Sequence, residues 1–279
     1  MIPSGAIAYA NARMRACKSR LLTHPAALPL FAARDAAAVH RAVTALELDA
    51  PLRRVLRVYA TAMRGYPCGQ PLFRALLQRH EIENVKLLWR ATLRRRRVDL
   101  VAPLWIELGS LASVSIVDAS SVQDLARKLA RTPYGPIAGT IAHAHGSDGA
   151  AAELAFDRWM SWQLREEARR LPRRESIARR LVELIVEERD AEIVRRGTKW
   201  YGLASVSGTP ADETSLRQQR LRWCRRAFTG SPFLIAPAVA VILLAEEEMR
   251  AVRAFVERQG DSTLDSTLQR ALAGSQLGA

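Results

Sequence analysis

EIENVKLLWRATLRRRR, residues 81–97, runs from acids through an apolar middle into four consecutive arginines. Together with the PLFRALLQ that precedes it, the stretch predicts one long helix over residues 72–97. Leu72, Leu76, Leu87, Leu88 and Ala91 recur at steps that place them on or near one buried side. Arg94, Arg95, Arg96 and Arg97 then continue around the whole circumference, so at most two of them can address one flat surface. Such a run suits a helix end that protrudes past the core, where arginine satisfies terminal carbonyls and offers charge to a partner. A solvated end with no partner is the simpler reading.

Outward from this helix the same periodicity dominates. Ile7, Ala10, Met14, Cys17 and Leu21 form one stripe along a first helix that ends before His24 and Pro25. Asp49 and Pro51 supply a capping carboxylate and a first-turn proline for a second helix carrying Leu52, Val55, Leu56, Tyr59 and Met63. Residues 65–71, GYPCGQP, make a turn. A capped helix follows over 121–131, then a turn over 133–136, and further helices over 151–170, 173–196, 216–228, 235–258 and 264–272. The best strand-like alternation, residues 113–117, is too short to count. The fold class is all-α.

The opening pattern recurs. NVKLLWRAT at 84–92 aligns with DAEIVRRGT at 190–198, an offset of 106 residues that matches Leu87 with Ile193, Leu88 with Val194 and Arg90 with Arg196. A looser copy lies in EEEMRAVRAFVERQG, residues 246–260. The shared order of acidic start, apolar middle and basic end suits the helix macrodipole, provided the charges fall in the first and last turns.

A formal charge of +14 and a pI of about 10.8 point to an acidic partner. Yet only four of the 42 basic residues are lysine, an arginine skew of the kind a GC-rich genome produces, so charge alone does not argue for nucleic acid. Cys17, Cys68 and Cys224 never pair as C-x-x-C, which excludes the familiar zinc and disulfide patterns and suits a reducing compartment. No secretory leader is visible at the start. The longest apolar run, residues 232–245, falls short of the roughly 20 residues that span a bilayer and holds Pro237, so a buried core helix is expected. His143, His145, Asp148 and Glu153 are the one group with metal-ligand chemistry, but their spacing reads better as a polar loop between helices. No nucleophile elbow, phosphate-cradling glycine loop or dinucleotide fingerprint is present. The carboxylate groups Glu166–Glu167, Glu187–Glu188 and Glu246–Glu247–Glu248 are interleaved with arginines, as on exposed ion-paired faces; Glu192 with Arg195 and Arg196, and Glu247 with Arg250, are expected pairs.

Taken in order, these pieces resemble a known family. YANARMRACKSRLL at 9–22, EIENVKLLWRA at 81–91, LARTPYGPIAG at 129–139, the helix holding Glu153, Asp157 and Arg158, ERDAEIVRRGTKWYGL at 188–203 and the 232–257 segment are similar to the C-type subunit of bacterial and archaeal V/A-type rotary ATPases. That protein is equivalent to the d-type subunit of the eukaryotic vacuolar enzyme. The resemblance implies three pseudo-symmetric helical repeats, over 1–98, 99–203 and a shortened 204–279, arranged as a funnel-like socket. It implies a non-catalytic central-stalk subunit without cofactor or metal, peripheral at the cytoplasmic face of the membrane and without a transmembrane segment of its own. Its partners would be the central-stalk subunits of the soluble sector and the membrane rotor ring, not nucleic acid. Arg94, Arg95, Arg96 and Arg97 are the candidate partner contacts. The competing reading is an arginine-rich helical-repeat module that binds RNA or an acidic protein.

Overall fold

A computed structural model describes residues 4–19, 51–94, 111, 119–146, 148–199, 212–231 and 233–258. Every regular element among them is helical, and the described residues contain no strand. The expectations for residues 113–117 and 264–272, and those for Leu21, Asp49, Arg95, Arg96 and Arg97, lie outside the described residues. Two compact units divide the chain, one drawn from Met1–Pro67 with Phe228–Ala279 and the other from Cys68–Ala227.

In the first unit α1 (Ser4–Ser19), α2 (Pro51–Gly65) and α9 (Ala236–Arg258) pack mutually. Ile7, Ala10 and Met14 are buried as their spacing requires, and Cys17 is half-buried. On α2, Val55, Val58, Tyr59 and Ala62 form a buried stripe, and Pro51 opens the helix, where its missing N–H costs nothing. The opening of α9 is apolar all round, with Ala238, Val239, Ala240, Val241 and Ile242 fully buried. Pro237 sits in the first turn of α9 rather than interrupting it. Polar ties fix the unit: Asn11 donates to the Leu234 carbonyl at 3.1 Å and accepts the Tyr66 hydroxyl at 2.8 Å. Glycine at position 65 permits a close approach, since a Cβ there would lie 2.9 Å from the Ala10 Cβ.

The second unit is built around α6 (Gly149–Arg170), which packs against α3 (Gln70–Leu93) and α7 (Ser176–Lys199); α8 (Glu213–Ala227) in turn packs on α7. The short α4 (Val122–Leu129) and α5 (Gly135–His145) pair with each other and lean on α3 and α6 respectively. Capping sets these starts. Ser121 accepts the Asp124 N–H at 3.1 Å, and Asp124 reaches back to the Ser120 N–H at 3.0 Å. That last bond, helped by Lys128 and Arg127, holds the Asp124 carboxyl below its ordinary range.

Three expectations need correction here. Leu87 is exposed, because α6 meets the side of α3 that carries Val85, Leu88 and Trp89. Residues 135–145 form a helix that the turn and loop reading did not include: Gly135 and Pro136 start it, and Pro136 fits a first turn. The sequence GPIAGTIAHAH is weak in helix propensity, with two glycines and β-branched residues, so packing against α4 and α6 supplies the stability. The acids of the recurring pattern are not at helix starts: Glu81 and Glu83 fall in the middle of α3, as do Glu187 and Glu188 in α7 and Glu246 in α9. Macrodipole compensation therefore does not account for them; Glu81, Glu83, Glu188 and Glu246 have tertiary partners, and Glu187 pairs with Arg180 on its own helix.

Candidate functional site

The mid-helix charges of the second unit converge on α6. Glu153 and Asp157, four residues apart, lie on one face of that helix and are both buried. From α3 the fully buried Lys86 donates to Asp157 Oδ1 at 2.8 Å, and its Nζ is also 2.8 Å from Glu83 Oε1. Arg90 Nε lies 2.6 Å from Glu153 Oε1, an ion pair whose N–H direction is too oblique for an aligned hydrogen bond. From α7, Arg189 donates to the same Asp157 Oδ1 and reaches Glu83 at 3.5 Å, while Arg196 lies 3.7 Å from Asp157 Oδ2. Arg196 Nε is bound to Glu192 at 2.7 Å.

The spacing of the recurring sequence pattern fits this geometry. An offset of 106 residues, the separation of Glu83 and Arg189, carries Glu83, Lys86 and Arg90 onto Arg189, Glu192 and Arg196. Signs are exchanged at the first two positions and kept at the third. Glu83 and Arg189, related by that offset, thus meet each other, and Asp157 on α6 is the acceptor shared by Lys86 from α3 and Arg189 from α7. Four cations and four carboxylates are gathered here; Lys86, Asp157 and Glu153 are buried, where an unpaired charge is costly, while Arg90 and Glu83 at the rim are about half exposed.

A second tie is made from the middle of α3. The buried Glu81 accepts the Tyr134 hydroxyl at 2.6 Å and the Leu111 N–H at 3.3 Å. Burial first, and then the Glu81 carboxylate, push the Tyr134 hydroxyl far above its ordinary pKa, so it remains a donor. The first unit repeats the device: Tyr59 donates to the buried Glu246 at 2.6 Å. Gly135 beside Tyr134 is sterically required, because a Cβ there would come within 2.9 Å of three backbone atoms of Ala130. Gly135→Ala is expected to cost about 1–3 kcal/mol through backbone displacement; equal thermal stability of variant and parent would refute the close-approach reading.

The sequence-level candidates are placed as follows. Arg94 ends α3 as its C-cap, with its backbone N–H bonded to the Arg90 carbonyl at 3.0 Å and its side chain exposed. It caps the helix rather than continuing it, whereas the expected helix ran to Arg97. His143 and His145 are in the last turn of α5, Asp148 caps α6 through the Ala150 and Ala151 N–H groups at 3.0 Å, and Glu153 faces Arg90. Among the described residues no three metal-ligating side chains converge.

The carboxylate groups divide. Glu166 and Glu167 pair with Arg169 and Arg170 on the surface, Glu192 with Arg195 and Arg196, and Glu247 with Arg250, as the spacing suggests. Glu246 and Glu247 are buried rather than on an exposed face, and Glu188 accepts the buried Arg220 at 2.7 Å. Sequence reasoning had no signal for Lys86, Glu81 or Arg220 as buried groups, beyond the position of the first two inside the recurring pattern.

What this arrangement does chemically is lock α3, α6 and α7 in one register: a slip by a turn would strand several buried charges. Glu81, Lys86, Arg90, Tyr134, Gly135, Glu153, Asp157, Glu188, Arg189 and Arg196 all fall within the motifs that carried the family resemblance. The model of the family described as ATP synthase (C/AC39) subunit matches residues 10–208 of the chain. No curated protein matches, and no solved structure matches. The matched span includes all of α2 to α7 and hence both arms of the buried network. The chain belongs to the ATP synthase (C/AC39) subunit family, which holds the C-type subunit of V/A-type ATPases.

Proposed function

We propose that this protein is the non-catalytic socket between the central rotor shaft and the membrane rotor ring of a V/A-type rotary ATPase, and that it transmits torque for proton or sodium transport. The carrying observation is the family match over residues 10–208. The physical demands of the task agree with the residues described. A torque adapter must resist sliding of helix on helix, and a buried network that shares one acceptor between two helices opposes such sliding. In this reading three helical repeats, bounded near residues 98 and 203, surround a funnel that receives the foot of the shaft. The protein sits peripherally on the cytoplasmic face. No helix among the described residues is long and apolar enough to cross a membrane, so attachment is assigned to contacts with the ring.

The run Arg94 to Arg97 is assigned to one of the two interfaces, since arginine's planar fork makes bidentate bonds to carboxylates and is desolvated more cheaply than an ammonium group. Affinity purification through a tag on this chain is expected to recover both shaft and ring subunits. Changing all four arginines to glutamate is expected to lower that recovery by about tenfold or more, as like charges meet across the interface. Recovery unchanged by the four substitutions would reduce the run to a solvated helix end. Absence of shaft and ring subunits from the parent purification would reject the socket itself.

A further inference from the structure

We propose that α1 is a strap: one of its faces fastens the segment that leads into α9, at Phe228 and at Leu234, and the hold on Phe228 opens locally while the apolar core of the first unit stays closed. All of these residues belong to the first unit. The inference is independent of the socket reading and concerns a conformational device within the chain itself.

Two stripes run along α1, turned about 100° from each other around its axis. Ile7, Ala10 and Met14 make the buried stripe of a helix that packs on α2 and α9. Asn11, Arg15 and Lys18, at steps of four and three, make the second, and each of them reaches the incoming segment. The Asn11 amide donates to the Leu234 carbonyl at 3.1 Å, and Arg15 Nη2 donates to the Phe228 carbonyl at 2.9 Å. Lys18 Nζ stands 4.1 Å from the centroid of the Phe228 ring. Backbone carbonyls near both ends of the segment, and one aromatic ring, are thus held by a single helix that lies more than 200 positions earlier in the chain.

The holds differ in burial, and that difference sets which one opens. Asn11 is buried, and its amide oxygen also accepts the Tyr66 hydroxyl at 2.8 Å, so the Leu234 end is tied into the interior. Arg15 and Lys18 are exposed and hold Phe228 from the solvent side. Their contacts, a charge-assisted bond to a carbonyl and an ammonium over a ring face, are strong for single polar contacts but bury little apolar area. Between the two ends Thr229, Ser231 and Phe233 are exposed. Release at Phe228 uncovers its ring, and Ile7, Ala10 and Met14 need not move. Segments with few buried apolar contacts open at lower free energy than the unit that carries them.

The test is native-state proteolysis of the full chain by chymotrypsin, with initial cleavage rates at individual bonds followed by mass spectrometry. Cleavage on the carboxyl side of Phe228 reports the population in which the strap is open. Cleavage after Tyr59, fully buried in α2, reports opening of the whole unit. Arg15→Ala with Lys18→Ala, which suits a helix surface, is expected to accelerate cleavage after Phe228 at least about tenfold, or about 1.4 kcal/mol at 25 °C. Cleavage after Tyr59 is expected to change less than about twofold, because the core does not open. Arg15→Lys with Lys18→Arg keeps a cation at both positions and is expected to stay within about threefold of the parent. Unchanged cleavage after Phe228 in the alanine pair, or a charge-retaining pair cleaved as fast as the alanine pair, would overturn the strap. Equal acceleration after Phe228 and Tyr59 would overturn its local opening.

Discussion

Asp157→Ala is expected to lower the unfolding free energy of the second unit by about 3–5 kcal/mol, the usual consequence of removing one partner from a buried ionic cluster. Lys86 is fully buried, and without Asp157 its remaining carboxylate within bonding distance is Glu83, a residue about half exposed. Arg189 loses the same acceptor. Denaturant unfolding followed by circular dichroism measures the loss, and the two units can unfold in separate steps, so each transition is fitted on its own. Asp157→Asn keeps nearly the same volume and should cost almost as much, since the amide cannot compensate either cation. Lys86→Met placed on Asp157→Ala should recover part of the loss, because it removes a stranded charge and leaves an apolar side chain of similar length. A cost below about 1 kcal/mol for Asp157→Ala would mean that the cluster is solvated and clamps nothing.

Trp89→Ala is expected to cost about 3–5 kcal/mol, the range for deleting a fully buried aromatic side chain. Its ring is completely buried and meets Phe156 edge-on, with centroids 5.3 Å apart and planes at 76°. This contact joins α3 to α6 beside the ionic cluster, one residue before Arg90 and three after Lys86. The indole Nε1 finds no acceptor among the described residues. Trp89→Phe therefore removes a buried unpaired donor while keeping an aromatic ring, and its cost should be clearly smaller than that of alanine. Because Trp89 and Asp157 hold the same helix pair, Trp89→Ala and Asp157→Ala should combine non-additively, with a coupling of about 0.5–3 kcal/mol. Strict additivity would place the aromatic contact and the ionic cluster in independent parts of the unit.

Helix content was legible wherever an apolar stripe was continuous. Met14, Tyr59 and Leu76 are buried as their spacing requires, and residues 236–245 of the apolar run open a core helix while Phe233 before it is exposed, because burial of a stripe depends on periodicity within one segment. Residues 135–145 were missed for the opposite reason: GPIAGTIAHAH lacks a wide stripe and starts from a turn signature, and neighbouring helices rather than local propensity stabilise it. Leu87 was misplaced because two adjacent leucines, Leu87 and Leu88, point about 100° apart and periodicity alone does not choose between them.

The site was legible as a pattern and illegible as a geometry. The acids and bases of residues 81–97 and their counterparts at 188–198 stood out by repetition, and helix-dipole compensation or surface ion pairs explained them equally well. The structure decides against both for Glu81, Lys86, Asp157 and Arg189, because these groups face a neighbouring helix and not water.

By itself the sequence determined an all-helical protein, the positions of most of its described helices and the family to which it belongs. Only the tertiary structure decided that Asp157 is shared by Lys86 and Arg189, that Tyr134 and Tyr59 each donate a hydrogen bond to a buried glutamate, and that α1 and α2 join α9 from the far end of the chain. The reason is physical: periodicity is a local property of consecutive residues, whereas the partner of a buried charge is chosen by which two helix faces meet, and that choice minimises unpaired charge over the whole unit.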